Sequence, residues 1–282
     1  MDAPILVTGG TGLLGRLLVP RLLAADRRVR VLSRRPHDDE DGVEYVLGDL
    51  STGGTRVAQA VEGVSAIVHL ASRSKGDAEA TRNLVRAAAR ATGAGGARDE
   101  QPGPGGTDPA AGPAAGPPHL VFISVVGADT VSQAYMRSKY DAERVITDSE
   151  LPWTIIRVTQ FYDLVLDSLR TGSRSPLLPM PAGVPLQPVD ADETAARLVE
   201  LALGEPAGHV PDLAGPQRTD AGTLTRAYLR AAGRRRLLLP VPLPGVLPGA
   251  RAIKRGALAP APGAPYTAGS TTWEEFLSTA EL

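Results

Sequence analysis

Cysteine is absent from the 282 residues, which excludes disulfides, zinc–thiolate centres, iron–sulfur clusters and cysteine nucleophiles. An excess of one charge is missing too. Thirty Lys and Arg face 31 Asp and Glu, so nothing broad in the electrostatics favours nucleic acid as a partner. No apolar run is long enough for a membrane helix; the most apolar late stretch, 237–250, is cut by Pro240, Pro242, Pro244 and Pro248. No basic-then-apolar leader precedes Ile5, so a cytoplasmic protein without a signal peptide is expected. Lysine is scarce: only Lys75, Lys139 and Lys254 occur.

What is present is an alternation of short apolar runs with helical patterns. Strands are predicted at 5–7, 29–32, 43–47, 66–70, 120–124 and 153–158, and helices at 12–25, 57–62, 78–91 and 132–149. Such alternation predicts an α/β fold, a doubly wound parallel sheet of the Rossmann kind. The expected division is a Rossmann domain over 1–160 and a smaller C-terminal lobe over 161–282 that cannot fold alone. Residues 93–118 turn abruptly to Gly, Pro and Ala, a composition that buries too little apolar surface to offset its ordering entropy; a disordered loop is expected there.

The first strand runs into Thr8-Gly9-Gly10-Thr11-Gly12-Leu13-Leu14-Gly15. Glycines at this spacing allow a tight turn, a close backbone approach to a pyrophosphate, and close packing of the following helix on the strand. All eight residues are therefore candidate dinucleotide ligands, with phosphate charge at the positive end of the helix. Ser33-Arg34-Arg35 ends the second strand, and no carboxylate lies between Val29 and Pro36 to receive a ribose 2′-hydroxyl. Guanidiniums there suit a 2′-phosphate, so NADP(H) is favoured over NAD(H). Asp49 and Leu50 follow the third strand, placing the Asp49 carboxylate to accept from an adenine amino group. Leu70, Ala71 and Ser72 follow the fourth, where small residues let the backbone lie along the cofactor. His69 reads as a strand-end histidine rather than a base.

Tyr135 and Lys139 lie four apart within a helical pattern and so share a face. An ammonium beside a phenol lowers its pKa, so Tyr135 could donate a proton to a carbonyl oxygen while hydride arrives from a nicotinamide. Lys139 would also bond the nicotinamide ribose, and Ser124, ending the fifth strand, would hold the carbonyl oxygen. Gln160, Phe161 and Tyr162 follow the sixth strand and are expected at the substrate end of the cleft. No metal site is expected.

These motifs resemble those of the atypical or extended short-chain dehydrogenases/reductases, close to the NmrA-like NAD(P)-binding proteins. The glycine run matches TGxTGxxG, Ile123-Ser124-Val125-Val126-Gly127 resembles the serine strand end, and Tyr135–Lys139 the YxxxK pair. Leu151 to Arg157 with Gln160-Phe161, Val189-Asp190-Ala191-Asp192, and Trp273-Glu274-Glu275-Phe276 extend the likeness to nearly the whole chain outside 93–118. The resemblance implies an NAD(P)H-dependent oxidoreductase with a small-molecule substrate, and a homodimer paired through helices flanking the sheet. One departure stands out: aligned on Ala80-Thr81-Arg82-Asn83, Asp77 occupies the position where extended members carry a relay asparagine, and Asn83 becomes a structural one. An aspartate there could hold Lys139 or a water. The same family implies a second possibility, a redox sensor that binds NADP(H) without chemistry. A nucleotide-sugar epimerase is a third, weakened by Arg34 and Arg35, because such enzymes tend to retain NAD.

Overall fold

The computed structural model of the protein describes residues 3–72, 76–91 and 116–282. The first half alternates β1 (Ile5–Thr8), α1 (Leu13–Ala24), β2 (Val29–Ser33), β3 (Val43–Leu47), α2 (Thr55–Val61), β4 (Ala66–His69), α3 (Asp77–Ala91), β5 (His119–Val125), α4 (Ala134–Thr147) and β6 (Trp153–Val158). The second half adds α5 (Tyr162–Gly172), β7 (Leu177–Ala182), β8 (Pro185–Leu186), α6 (Ala191–Leu203), β9 (Gly208–His209), β10 (Asp212–Ala214) and β11 (Thr219–Asp220). It closes with α7 (Ala221–Ala231), β12 (Leu237–Pro242), α8 (Ala250–Lys254), β13 (Tyr266–Ala268) and α9 (Trp273–Thr279). Of the Gly/Pro/Ala segment, residues 93–115 lie outside the described ones.

Among the described residues nine strands form one sheet in the order β13-β10-β6-β5-β4-β1-β2-β3, with β9 also paired to β6, and every pairing in it is parallel. β1 is buried along its whole length because helices cover both faces of the sheet. On one face Leu14, Leu18 and Leu22 of α1 and Ala195, Leu198 and Leu201 of α6 pack against Val7, Val31 and Val68. On the other, Leu84 of α3 and Ala142 and Ile146 of α4 meet Leu6, Ile67 and Phe122. The chain leaves β1 toward β2 on one side and returns to β4 on the other. That reversal opens a crevice at the carboxyl ends of β1 and β4, where open α/β sheets take their ligands.

Beyond residue 160 the chain goes on contributing to the main sheet. β9, β10 and β13 continue the main sheet beyond β6, and α6 supplies half of the layer beside α1. Without them β6 would be an exposed edge with unpaired backbone groups. The remaining C-terminal elements gather around Tyr162, Leu166, Leu224, Tyr228, Trp273 and Leu277. Glu193, in the first turn of α6, ties this part down by accepting from the backbone N–H groups of Ser270 (2.9 Å) and Thr271 (3.0 Å).

Candidate active site

The turn after β1 is built for close approach. Gly9 adopts φ +75°, and a Cβ there would meet the Ala71 backbone nitrogen, just past β4, at 2.8 Å. Gly15 packs directly on the Gly10 backbone, leaving no space for a side chain between α1 and the turn. Gly12 caps α1 in extended conformation with no side-chain hydrogen bond, and the first turn of the helix carries no acidic residue. The positive end of α1 is thus left open to an anion, as a pyrophosphate cradle requires.

A cleft of about 290 Å³ opens beside this turn. Of the expected cofactor residues, Thr8, Gly9, Thr11, Gly12, Ser33, Arg34, Asp49, Leu50, Leu70, Ala71 and Ser72 line it. Gly10, Leu13, Leu14, Gly15, Arg35 and Lys139 do not line it. Gly10 sits over Val31, Leu14 packs in the core, and the Arg35 backbone N–H donates to Ser33 Oγ at 3.2 Å. Leu32, Gly48, Asp77 and Ala80 complete the wall. Asp77 and Ala80 share the inner face of the first turn of α3, a phase readable from helical spacing. The Asp49 carboxylate accepts from the Ser51 backbone N–H and hydroxyl, each at 2.8 Å, and so shapes its own loop. Asn83 holds that loop to α3 by donating to the Leu50 carbonyl at 2.8 Å, a structural part.

The candidate catalytic residues come from β5 and α4 and do not themselves line this cleft. Ser124 is buried in β5, and its Oγ has no hydrogen-bond partner among the described residues. Tyr135 is partly exposed in the first turn of α4, whereas Lys139, one turn on, is fully buried. The Lys139 ammonium donates to the Ile123 carbonyl at 3.3 Å, lies 3.5 Å from Asp77 Oδ2 and stands 4.9 Å above the Phe122 ring. Asp77 Oδ2 also accepts the Ser72 hydroxyl at 2.9 Å, and the Asp77 backbone N–H donates to Ser138 Oγ at 3.1 Å. Behind Lys139, buried Glu143 is held by Arg157 at 2.9 and 2.7 Å, and Arg157 also reaches Asp129 at 2.7 Å.

These contacts overturn one expectation. The Tyr135 pKa is raised, not lowered: burial is the largest cause, the Asp77 charge adds to it, and a hydrogen bond with Ser72 works the other way. The ammonium expected to acidify the phenol is turned toward Asp77 and a backbone carbonyl instead. Burial pushes the Lys139 pKa down, against the opposing pull of Asp77 and Glu143. His69 is buried between Thr8 Oγ1 (2.6 Å) and Thr81 Oγ1 (3.0 Å), and burial, then the Lys139 charge, lower its pKa to about 3. It stays neutral and structural.

The three residues after β6 separate. Gln160 donates from Nε2 to the Leu258 carbonyl at 3.4 Å, while its buried Oε1 has no partner among the described residues. Phe161 forms a bridge with Val189. Tyr162, expected at the substrate end of the cleft, begins α5 and points into the C-terminal core. Its ring centroid lies 5.3 Å from those of both Trp273 and Phe276, and its hydroxyl donates to the Thr271 carbonyl at 3.1 Å.

The glycine cradle and the open helix end fit a dinucleotide, and residues 9–108 match the NAD(P)H-binding family model. The whole chain shares its fold with solved structures. One is an NADPH-dependent quinone oxidoreductase from Escherichia coli complexed with NADPH, at 18% identity and TM-score 0.73, covering 97% of this chain and 98% of that one. Another is a nucleoside-diphosphate-sugar epimerase from Staphylococcus aureus, at 18% identity and TM-score 0.73, covering 97% and 99%. A third is a short-chain dehydrogenase/reductase superfamily protein from Agrobacterium tumefaciens with bound NAD, at 19% identity and TM-score 0.67, covering 97% and 94%. At such identities the likeness is one of fold. No curated protein matches the chain in sequence.

Proposed function

We propose that this protein is an NADPH-dependent reductase of the short-chain dehydrogenase/reductase type, acting on a carbonyl, quinone or enone of a small apolar substrate. The observation that carries this reading is Ser124: a buried hydroxyl without a partner among the described residues, in β5 and next to the carbonyl that holds Lys139, whose ammonium faces the cleft-lining Asp77. A buried polar group left unpaired costs about 1–3 kcal/mol, a cost that a substrate oxygen would relieve. Beside it, Val125, Val131 and Met136 belong to an apolar cluster suited to a substrate with little charge. Bound nicotinamide would supply the hydride. Tyr135 would give its proton to the developing alkoxide, Ser124 would hold that oxygen, and Lys139 would anchor the ribose.

Arg34, exposed on the cleft wall at the end of β2, supports NADPH as the cofactor, because no carboxylate stands there to select NAD. The same feature weighs against an NAD-retaining epimerase, although epimerases share the fold. One observation favours a non-catalytic NADP(H) sensor: Asp77 occupies the ammonium that would otherwise acidify Tyr135. Among the described residues no helix is long and apolar enough to cross a membrane, in keeping with a cytoplasmic role. The test is NADPH consumption against a panel of ketones, quinones and enones. Turnover on any of them supports the reductase; tight NADPH binding with no turnover supports the sensor.

A further inference from the structure

Resting on the reading of Tyr135 as the proton donor, we propose that Asp77 is a positioning residue that keeps Tyr135 protonated. It does so by pairing with Lys139 and by claiming the single proton of Ser72, which biases the site toward reduction. A serine hydroxyl carries one hydrogen. Asp77 Oδ2 accepts it at 2.9 Å, so the Ser72 oxygen can offer Tyr135 only lone pairs. Lone pairs accept a phenol O–H and cannot stabilise a phenolate. For Ser72 to support a phenolate, its proton would have to leave the Asp77 carboxylate.

The charges around Tyr135 point the same way. Lys139, one turn on along the same helix, lies 3.5 Å from Asp77 and 3.3 Å from the Ile123 carbonyl. Glu143, one turn further along α4, adds a second carboxylate on the far side of Lys139. Arg157 of β6 is engaged with Glu143 and Asp129, and His69 of β4 is neutral. Ser138 accepts from the Asp77 backbone N–H, which fixes the start of α3 against α4 and keeps the carboxylate in place.

The consequence is directional. In reduction the Tyr135 O–H bond breaks as the substrate O–H bond forms, and the phenolate left behind is reprotonated by solvent water. Oxidation runs in reverse and needs a phenolate at the outset. A site that disfavours the phenolate therefore supports reduction over a wide pH range and confines oxidation to alkaline pH.

The experiment is a pH titration of the full-length protein labelled with ring-¹³C tyrosine, the Tyr135 resonance being assigned by its loss in Tyr135→Phe. In Asp77→Asn the Tyr135 acid dissociation constant is expected to rise about tenfold or more, since the opposing charge is gone and Ser72 is free to donate. In Ser72→Ala it is expected to rise slightly or stay as in the wild type, because the bond lost is one that only the protonated phenol donates. Should Asp77→Asn alone fail to fold, the double variant Asp77→Asn/Lys139→Met removes both buried charges and should still lower the Tyr135 pKa. An unchanged or raised Tyr135 pKa in the aspartate variant overturns the proposal. No substrate is needed, so a wild type without turnover would sink the reductase reading and leave this result readable. Where turnover exists, Asp77→Asn should also move the onset of alcohol oxidation to lower pH.

Discussion

Replacing Gly9 with alanine separates the two reasons for a glycine at the end of β1, provided Gly63 serves as the control. Both have positive φ, +75° and +65°. A left-handed alanine costs roughly 1–2 kcal/mol, and both variants lose similar unfolded-state entropy. Gly63 has nothing within 4 Å of an added Cβ, so Gly63→Ala should show only that backbone cost. At Gly9 the new methyl meets the Ala71 nitrogen at 2.8 Å and the Ala71 Cα at 3.0 Å, backbone atoms just past β4 that no rotamer change can move. Overpacking of this kind adds roughly 1–3 kcal/mol, for a total of about 2–5 kcal/mol. At roughly 3 °C per kcal/mol for a chain of this size, Tm should fall by about 3–6 °C for Gly63→Ala and about 6–15 °C for Gly9→Ala. Thermal unfolding followed by circular dichroism measures both. NADPH titration below the transition should show Gly9→Ala weakened about tenfold or more, equivalent to about 1.4 kcal/mol, and Gly63→Ala unchanged. Equal Tm losses with wild-type NADPH affinity in both would refute the close-approach argument.

Arg34→Ala should erase most of the preference for NADPH over NADH. The side chain is exposed, so the lower end of a charge-assisted bond applies, about 1.5 kcal/mol or roughly a tenfold change in the ratio of dissociation constants; equal NADPH and NADH binding by the wild type would contradict the cofactor assignment. His69 has a folded-state pKa near 3 against 6.5 in an open environment, so between those values the unfolded chain binds a proton the folded one refuses. Its contribution is complete above pH 6.5 and is lost as the pH falls toward 3. His69→Gln should therefore flatten that part of the Tm–pH curve, and superimposable acid limbs would show that His69 titrates normally.

The alternating half of the fold was legible because its strands are buried on both faces and its helices carry one apolar stripe. β2 and β6 and the helices α1 and α3 fall within a residue or two of where the pattern places them. β9, β10 and β13 were not legible. Strands of two or three residues show no period, and their partners lie far away in the sequence, as with Leu213 beside Val158. The share that the C-terminal half takes in the main sheet went unread for that reason. In the cleft, backbone-determined features such as Gly9, Gly12 and Ser33 could be read directly. Side-chain destinations could not: the four-residue spacing puts Tyr135 and Lys139 on one face, but a lysine has reach enough for its ammonium to settle on Asp77, 62 positions away in sequence. Tyr162 shows the same limit. Its place after β6 was right for the cleft, yet the first turn of α5 rotates the ring toward Trp273.

The most direct test of the reductase assignment compares wild type and Tyr135→Phe with the same NADPH and the same reducible substrate. The account predicts equal NADPH affinity by titration and a loss of about 100-fold or more in the rate of NADPH oxidation for the Phe variant, the range a positioned general acid contributes. A Phe variant that binds NADPH and oxidises it at the wild-type rate would contradict it.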